Sequence, residues 1–154
     1  MLVSERVLKW ALRAYPPLLL QRVWVKKIDK GFCGASVKIF RSILNINYNR
    51  SIFGGTIFSG ADPVYPVLLY QLLRRKGLNC IIWVKKSEVN FLKPGNSNLT
   101  FDVAIPEEDL DRLIKELLDL GKVVQPFEIE MFDREQRLCV TIRVEIYIRH
   151  LVAA

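Results

Sequence analysis

A chain of 154 residues, 51% hydrophobic and 25% charged, has the size and composition of one folded domain with a real core, which excludes a disordered protein. Its three cysteines (Cys33, Cys80, Cys139) are odd in number and form no Cys-x-x-Cys pair, and there is a single histidine (His150); neither a disulfide framework nor a His/Cys zinc site is expected, and a reducing, cytoplasmic setting is. Residues 1–77 carry 13 basic and 3 acidic side chains, net +10, whereas residues 78–154 carry 10 and 13, net −3. The first half therefore suits a polyanion (nucleic acid, an anionic membrane or a phosphorylated ligand) or is a solvated basic face. No nucleic-acid reading motif accompanies the charge, so no nucleic-acid partner is expected.

The first 30 residues lack the apolar run of a signal peptide, because Arg6, Lys9 and Arg13 interrupt it. Spacing predicts an amphipathic helix over 4–14, with Val3, Val7, Trp10 and Ala14 on one face and Arg6, Lys9 and Arg13 on the other. Pro16-Pro17 stops it. Residues 1–25 are read as this helix and a connector, and residues 26–154 as the main domain. Two roles stay open for the helix: docking on the domain, or peripheral contact with a membrane through residues 1–15.

Residues 33–44 alternate and predict a strand. A glycine-bearing turn, Asn47–Gly55, leads into a long apolar helix reaching about Lys76 and closed by Gly77. The run Ser51–Leu73 is long enough to span a bilayer, which needs about 20 residues. Asp62 at its centre, with several glycines, serines and prolines, favours the buried centre of a globular domain instead. Strands are predicted over 80–92 and 99–105, then a helix over 106–120 with acidic residues at its start. Strands over 124–132 and 137–149 form a hairpin. The last of these puts Leu138, Val140, Ile142, Val144, Ile146 and Ile148 on one face and polar residues on the other. That alternation describes an antiparallel sheet covered on one side, wrapped around the unusually apolar helix.

One segment is suited to chemistry. Glycines at a helix entrance let a ligand approach the backbone, and free N–H groups there favour a developing negative oxygen. Gly55, Ser59 and Asp62 fall on one stripe of the apolar helix at i, i+4 and i+7. A carboxylate in such surroundings tends toward a raised pKa, which suits a general base; equally, Asp62-Pro63 is a structural kink. The basic clusters Lys26-Lys27, Arg74-Arg75-Lys76 and Lys85-Lys86 are solvated charges or phosphate contacts.

The arrangement of Asn47, then Phe53-Gly54-Gly55, then Asp62 nine residues after Phe53 resembles the active-site segment of hotdog-fold acyl-CoA thioesterases of the phenylacetyl-CoA type. Val89–Gly95 similarly resembles the hotdog strand that ends in an apolar–basic–proline turn. The resemblance covers roughly residues 30–150. It implies an α+β hotdog fold, a curved antiparallel sheet around a long central helix, with an extra N-terminal helix. It also implies a homodimer or dimer of dimers with sites at the subunit interface. Its substrate would be an acyl-CoA or other acyl thioester, with coenzyme A part of the substrate and no separate cofactor. By the same resemblance Gly55 offers its N–H to the thioester carbonyl, Asp62 is general base or nucleophile, and Asn47 orients water or substrate. Gly54, Phe53 and Ser59 would bind substrate. Phe53 departs from the family, which has histidine there; a ring that cannot hydrogen-bond leaves a non-catalytic acyl-binding module as the alternative.

Overall fold

The computed structural model describes residues 2–151; Met1 and residues 152–154, the outer ends of the two expected units, lie outside the described residues. Two short helices, α1 (Glu5–Ala14) and α2 (Pro16–Leu20), precede strands β1 (Val23–Ile28) and β2 (Gly34–Ile39). The central helical segment follows as α3 (Gly54–Ala61) and α4 (Val64–Arg75). Then come β3 (Cys80–Phe91), β4 (Leu99–Ala104), α5 (Glu107–Leu120), β5 (Lys122–Phe132) and β6 (Leu138–His150). The strands form one antiparallel six-stranded sheet in the order β1-β2-β4-β5-β6-β3.

The covered face is the one that alternation assigns. Val140, Ile142, Val144, Ile146 and Ile148 of β6 are all buried, as are Val37 and Ile39 of β2 and Phe101 of β4. Against them lie Ile57, Leu68, Leu69 and Leu73 of the central helix, all within one hydrophobic cluster. Burial of this apolar area is the main drive of the fold. Tyr65 fixes the helix to the sheet: its ring stacks on Phe127 at 4.0 Å and its hydroxyl donates to the Glu128 carbonyl at 3.4 Å. Burial pushes that phenol up to about 12.

Four features depart from the sequence-based expectations. The alternation expected to reach Leu44 stops at Ile39, and Ile43 and Leu44 are exposed. Strand β1 was not expected, and it crosses the boundary drawn at residue 25; a bulge between Val25 and Lys27 breaks its period of two. The single long helix is two, because Pro63 supplies no N–H where the helical ladder needs one. Asp62 itself stays in the right-handed helical region, so the break is a change of ladder and not an extended residue. Lastly, α1 docks through Leu8 and Leu12, which pack on the core. The stripe expected to be its covered face is largely open, with Val7 and Trp10 each more than half exposed. The helix is apolar on two sides, and periodicity alone does not say which is covered.

The sheet's two edges differ. Helix α1 lies along β1, where the Arg13 guanidinium donates to the carbonyls of Val25 and Lys26. Among the described residues, strand β3, 12 residues long, pairs only with β6 and leaves its other side unpaired. Among the described residues, no helix is long and apolar enough to cross a membrane.

Candidate active site

The segment between β2 and α3 is built by asparagines. Asn45 is buried, and its amide donates to the carbonyls of Gln21 and Phe40, both at 2.8 Å. Its own carbonyl accepts from the N–H of Phe53, which sets the start of α3. Sequence reasoning missed Asn45; its only signal was an asparagine in a turn. Asn47 shapes the next turn. Its Oδ1 accepts from the N–H of Asn49 at 3.0 Å and of Ser51 at 3.2 Å, and its Nδ2 donates to Ser51 Oγ at 3.0 Å. This is an Asx-type turn closing the Ile46–Ile52 bridge. The side chain is therefore occupied within the loop.

Ile52 then donates its N–H to the Gly95 carbonyl, which ties this segment to the turn after β3. Between the two lies an open groove of about 540 Å³, lined by Asn47, Tyr48, Phe53, Gly54, Phe91 and Leu92 among others. The lining is mostly apolar, and Lys93 is its one charged side chain among the described residues. The groove thus opens at the end of the unpaired edge strand.

Phe53 precedes α3 and caps it with no side-chain bond. Thr56 and Ile57 both donate to the Phe53 carbonyl. Gly54 and Gly55 have no acceptor for their N–H groups among the described residues, as expected of a first helical turn. Both glycines lie under exposed aromatic neighbours, which a side chain at either position would push aside. A Cβ on Gly55 would stand 2.4 Å from the Phe53 ring, and one on Gly54 would stand 2.9 Å from the Phe91 ring. The two rings wall the groove at the helix start, where donors and a positive dipole end suit a developing oxyanion.

The structure does not bring all the sequence-identified residues together. Asn47, Phe53 and Gly54 line the groove, and Gly55 adjoins it beneath the Phe53 ring. Ser59 faces elsewhere, accepting a bond from Gln21 Nε2 at 3.0 Å. Asp62 is seven residues beyond Gly55, which is about 10 Å along a helix. It is half-buried, its side chain has no hydrogen-bond or ion-pair partner among the described residues, and burial pushes its carboxyl above the usual aspartate range. A carboxylate withdrawn from water without a donor favours taking up a proton.

The other candidate groups contribute less. Cys80 and Cys139 are buried, and burial raises both thiols. Cys33 is exposed, at the end of a tight turn just before β2. Arg74 is tied to Asn79 and Arg75 to the Val3 carbonyl. None of the three basic clusters lines the groove. No group of three or more potential metal ligands occurs among the described residues.

A curved antiparallel sheet holding a central helix, with a glycine-led helix start beside a groove, is the hotdog architecture, and known structures agree. A Pseudomonas aeruginosa protein of unknown function, named a probable thioesterase, superposes with a TM-score of 0.85 at 14% identity, over 98% of this chain and 99% of that one. A thioesterase from Haemophilus influenzae matches at 0.72 and 14% identity, over 99% and 95%. The E. coli PaaI protein of the phenylacetic acid degradation operon matches at 0.61 and 15% identity, over 98% and 99%. Comparison with curated protein sequences finds no match. By sequence, residues 4–148 match DUF4442, a domain of unknown function, and the chain belongs to that family.

Proposed function

We propose that the protein is an acyl-CoA thioesterase whose site is completed by a second copy of the chain. The observation that carries this reading is the pair Gly55 and Asp62. One offers a free N–H at a helix start, and the other is an unpartnered carboxylate with a raised pKa. Hydrolysis of a thioester needs both functions, an oxyanion donor and a base for water, each about 3 Å from the reacting atoms. Within one chain they are about 10 Å apart on one helix and cannot share a carbonyl. A homodimer related by a two-fold axis would set the Gly55 end of one helix against Asp62 of the other. The open β3 edge, ending at the groove through Phe91, supports such pairing.

In this reading the apolar groove takes the acyl chain, and Lys93 meets an anionic part of the thiol carrier. The N–H of Gly55 polarises the carbonyl. Asp62 takes a proton from water as the water oxygen bonds to the carbonyl carbon. Collapse of the tetrahedral intermediate breaks the C–S bond, and the thiolate leaves and is protonated. Asn47 acts by holding the loop that carries Phe53.

A second reading rests on Phe53. Its ring covers Gly55 and offers no hydrogen bond, so the groove would bind an acyl thioester without turning it over. A thiol-release assay with short, long and aromatic acyl-CoAs separates the two. Release by the wild type and loss in Asp62→Asn supports the hydrolase; saturable binding without release supports the binding module.

A further inference from the structure

We propose that the outer face of α1 and α2 docks on an anionic phospholipid surface. The inference stands apart from the hydrolase reading and uses no residue of the groove.

Helix α1 is fixed from below. Leu8 and Leu12 pack on the core, Ser4 caps the first turn through Val7 N–H, and Glu5 accepts from Gly31 N–H at 2.9 Å. Its outer side therefore cannot roll inward to hide apolar groups. That side carries Val7 at 53% exposure and Trp10 at 52%, and α2 adds Leu19 at 45% and Leu20 at 68%. Trp10 and Leu19 are joined into one surface through Trp24. Trp10 meets Trp24 edge-on at 6.4 Å, and the Arg13 guanidinium lies 4.7 Å from the first ring and 4.2 Å from the second. Trp24 in turn lines a shallow cavity with Leu19, Arg22 and Phe40.

The charge of this corner selects the partner. Residues 2–30 carry seven basic and two acidic side chains. Both acids are engaged, Glu5 by Gly31 and Asp29 by Lys27. Arg6, Lys9, Arg22 and Lys26 have no ion-pair partner among the described residues. Tryptophan with aliphatic side chains amid unopposed cations matches the chemistry of an anionic bilayer surface, where the indole sits at headgroup level and the cations meet phosphate. A second copy fits worse, since a two-fold contact would press two net-positive faces together. Nucleic acid fits worse too, since its backbone offers nothing to Val7, Leu19 and Leu20.

Co-sedimentation of the full chain with vesicles tests this, using phosphatidylcholine alone and phosphatidylcholine mixed with phosphatidylglycerol. Binding is expected only to the anionic vesicles and is expected to fall with added salt. The double variant Trp10→Ser/Leu20→Ser should lower the partition constant about tenfold or more, with unchanged circular dichroism. Arg6→Glu/Lys9→Glu, which leaves the apolar side chains in place, should do the same. Equal binding by the wild type and both variants, or no binding at low salt, overturns the proposal. So does a fall in oligomeric state of Trp10→Ser/Leu20→Ser in sedimentation velocity, which would assign the face to self-association.

Discussion

Asp133 and Asp62 are both withdrawn from water, and their surroundings are opposite. In the turn between β5 and β6, Asp133 accepts from the N–H groups of Arg137 at 3.0 Å and Glu135 at 2.9 Å, and from Arg137 Nε at 2.8 Å. The Arg137 N–H first, and then its guanidinium, hold the carboxyl below the usual aspartate range. At the junction of α3 and α4, Asp62 has no such donor, and burial alone moves it the other way. A fully bonded carboxylate is scaffolding and stabilises the turn it closes. An unbonded one costs stability, and in the proposed function Asp62 is the base that uses this state.

The largest effect should come from removing Asp62. Asp62→Asn is expected to lower thioester hydrolysis by about 10²–10⁴-fold, the usual worth of a general base, with the fold intact. Asp133→Asn should do the reverse, lowering the thermal midpoint while leaving activity per folded molecule near wild type. Paired thiol-release and calorimetry measurements on the two variants check both halves.

The pH dependences should also oppose. Asp62 must be ionised to act, so hydrolysis should rise with pH through its raised pKa, above the range of an ordinary aspartate. For stability the signs follow from proton counts. Folded Asp62 holds its proton to higher pH than the unfolded chain does. Its contribution is therefore lost as pH rises through the interval above the ordinary value, and Asp62→Asn should melt at or above the wild-type temperature at neutral pH. Folded Asp133 releases its proton earlier than the unfolded chain. Its contribution is present above the ordinary value and lost as pH falls through the lowered one. Melting of Asp133→Asn should accordingly depend less on acid than that of the wild type.

A smaller effect is expected at the groove wall. Phe53→Ala removes a half-exposed ring from the acyl groove. It should raise KM for apolar acyl thioesters by about tenfold with little change in kcat, the loss expected from partial burial of one aromatic side chain. A fall in kcat at unchanged KM would mean that the ring orders the reaction and does not merely bind the chain.

Sequence reasoning reached the fold where one physical rule acts alone. β6 is covered on one face along its length, so its period of two is plain. Helix α5 carries its own marks, three acidic residues in the first turn and Gly121 in the left-handed conformation after the last. β1 was missed because its strand is short and bulged. The face of α1 was misassigned because both of its sides carry apolar residues, and only the tertiary structure decides which is covered. In the candidate site, the order of Asn47, Gly55 and Asp62 was legible. So was the i, i+7 separation of the last two, but spacing on one helix stripe did not decide whether Asp62 is a base or a structural kink. Nor could spacing reveal that the Asn47 amide is taken up by its own turn.

The most direct test of the composite site mixes two variants. Asp62→Asn keeps the donor and loses the base. Gly55→Pro loses the N–H at a first-turn position, and its added side-chain atoms meet only the exposed Phe53 ring, which can turn aside. Each should be nearly inactive alone. Unfolded together and refolded as mixed dimers, they should regain about a quarter of wild-type activity, because random pairing makes half the dimers mixed and each mixed dimer has one intact site. No recovery, with both variants folded and dimeric, would contradict a site shared between two copies.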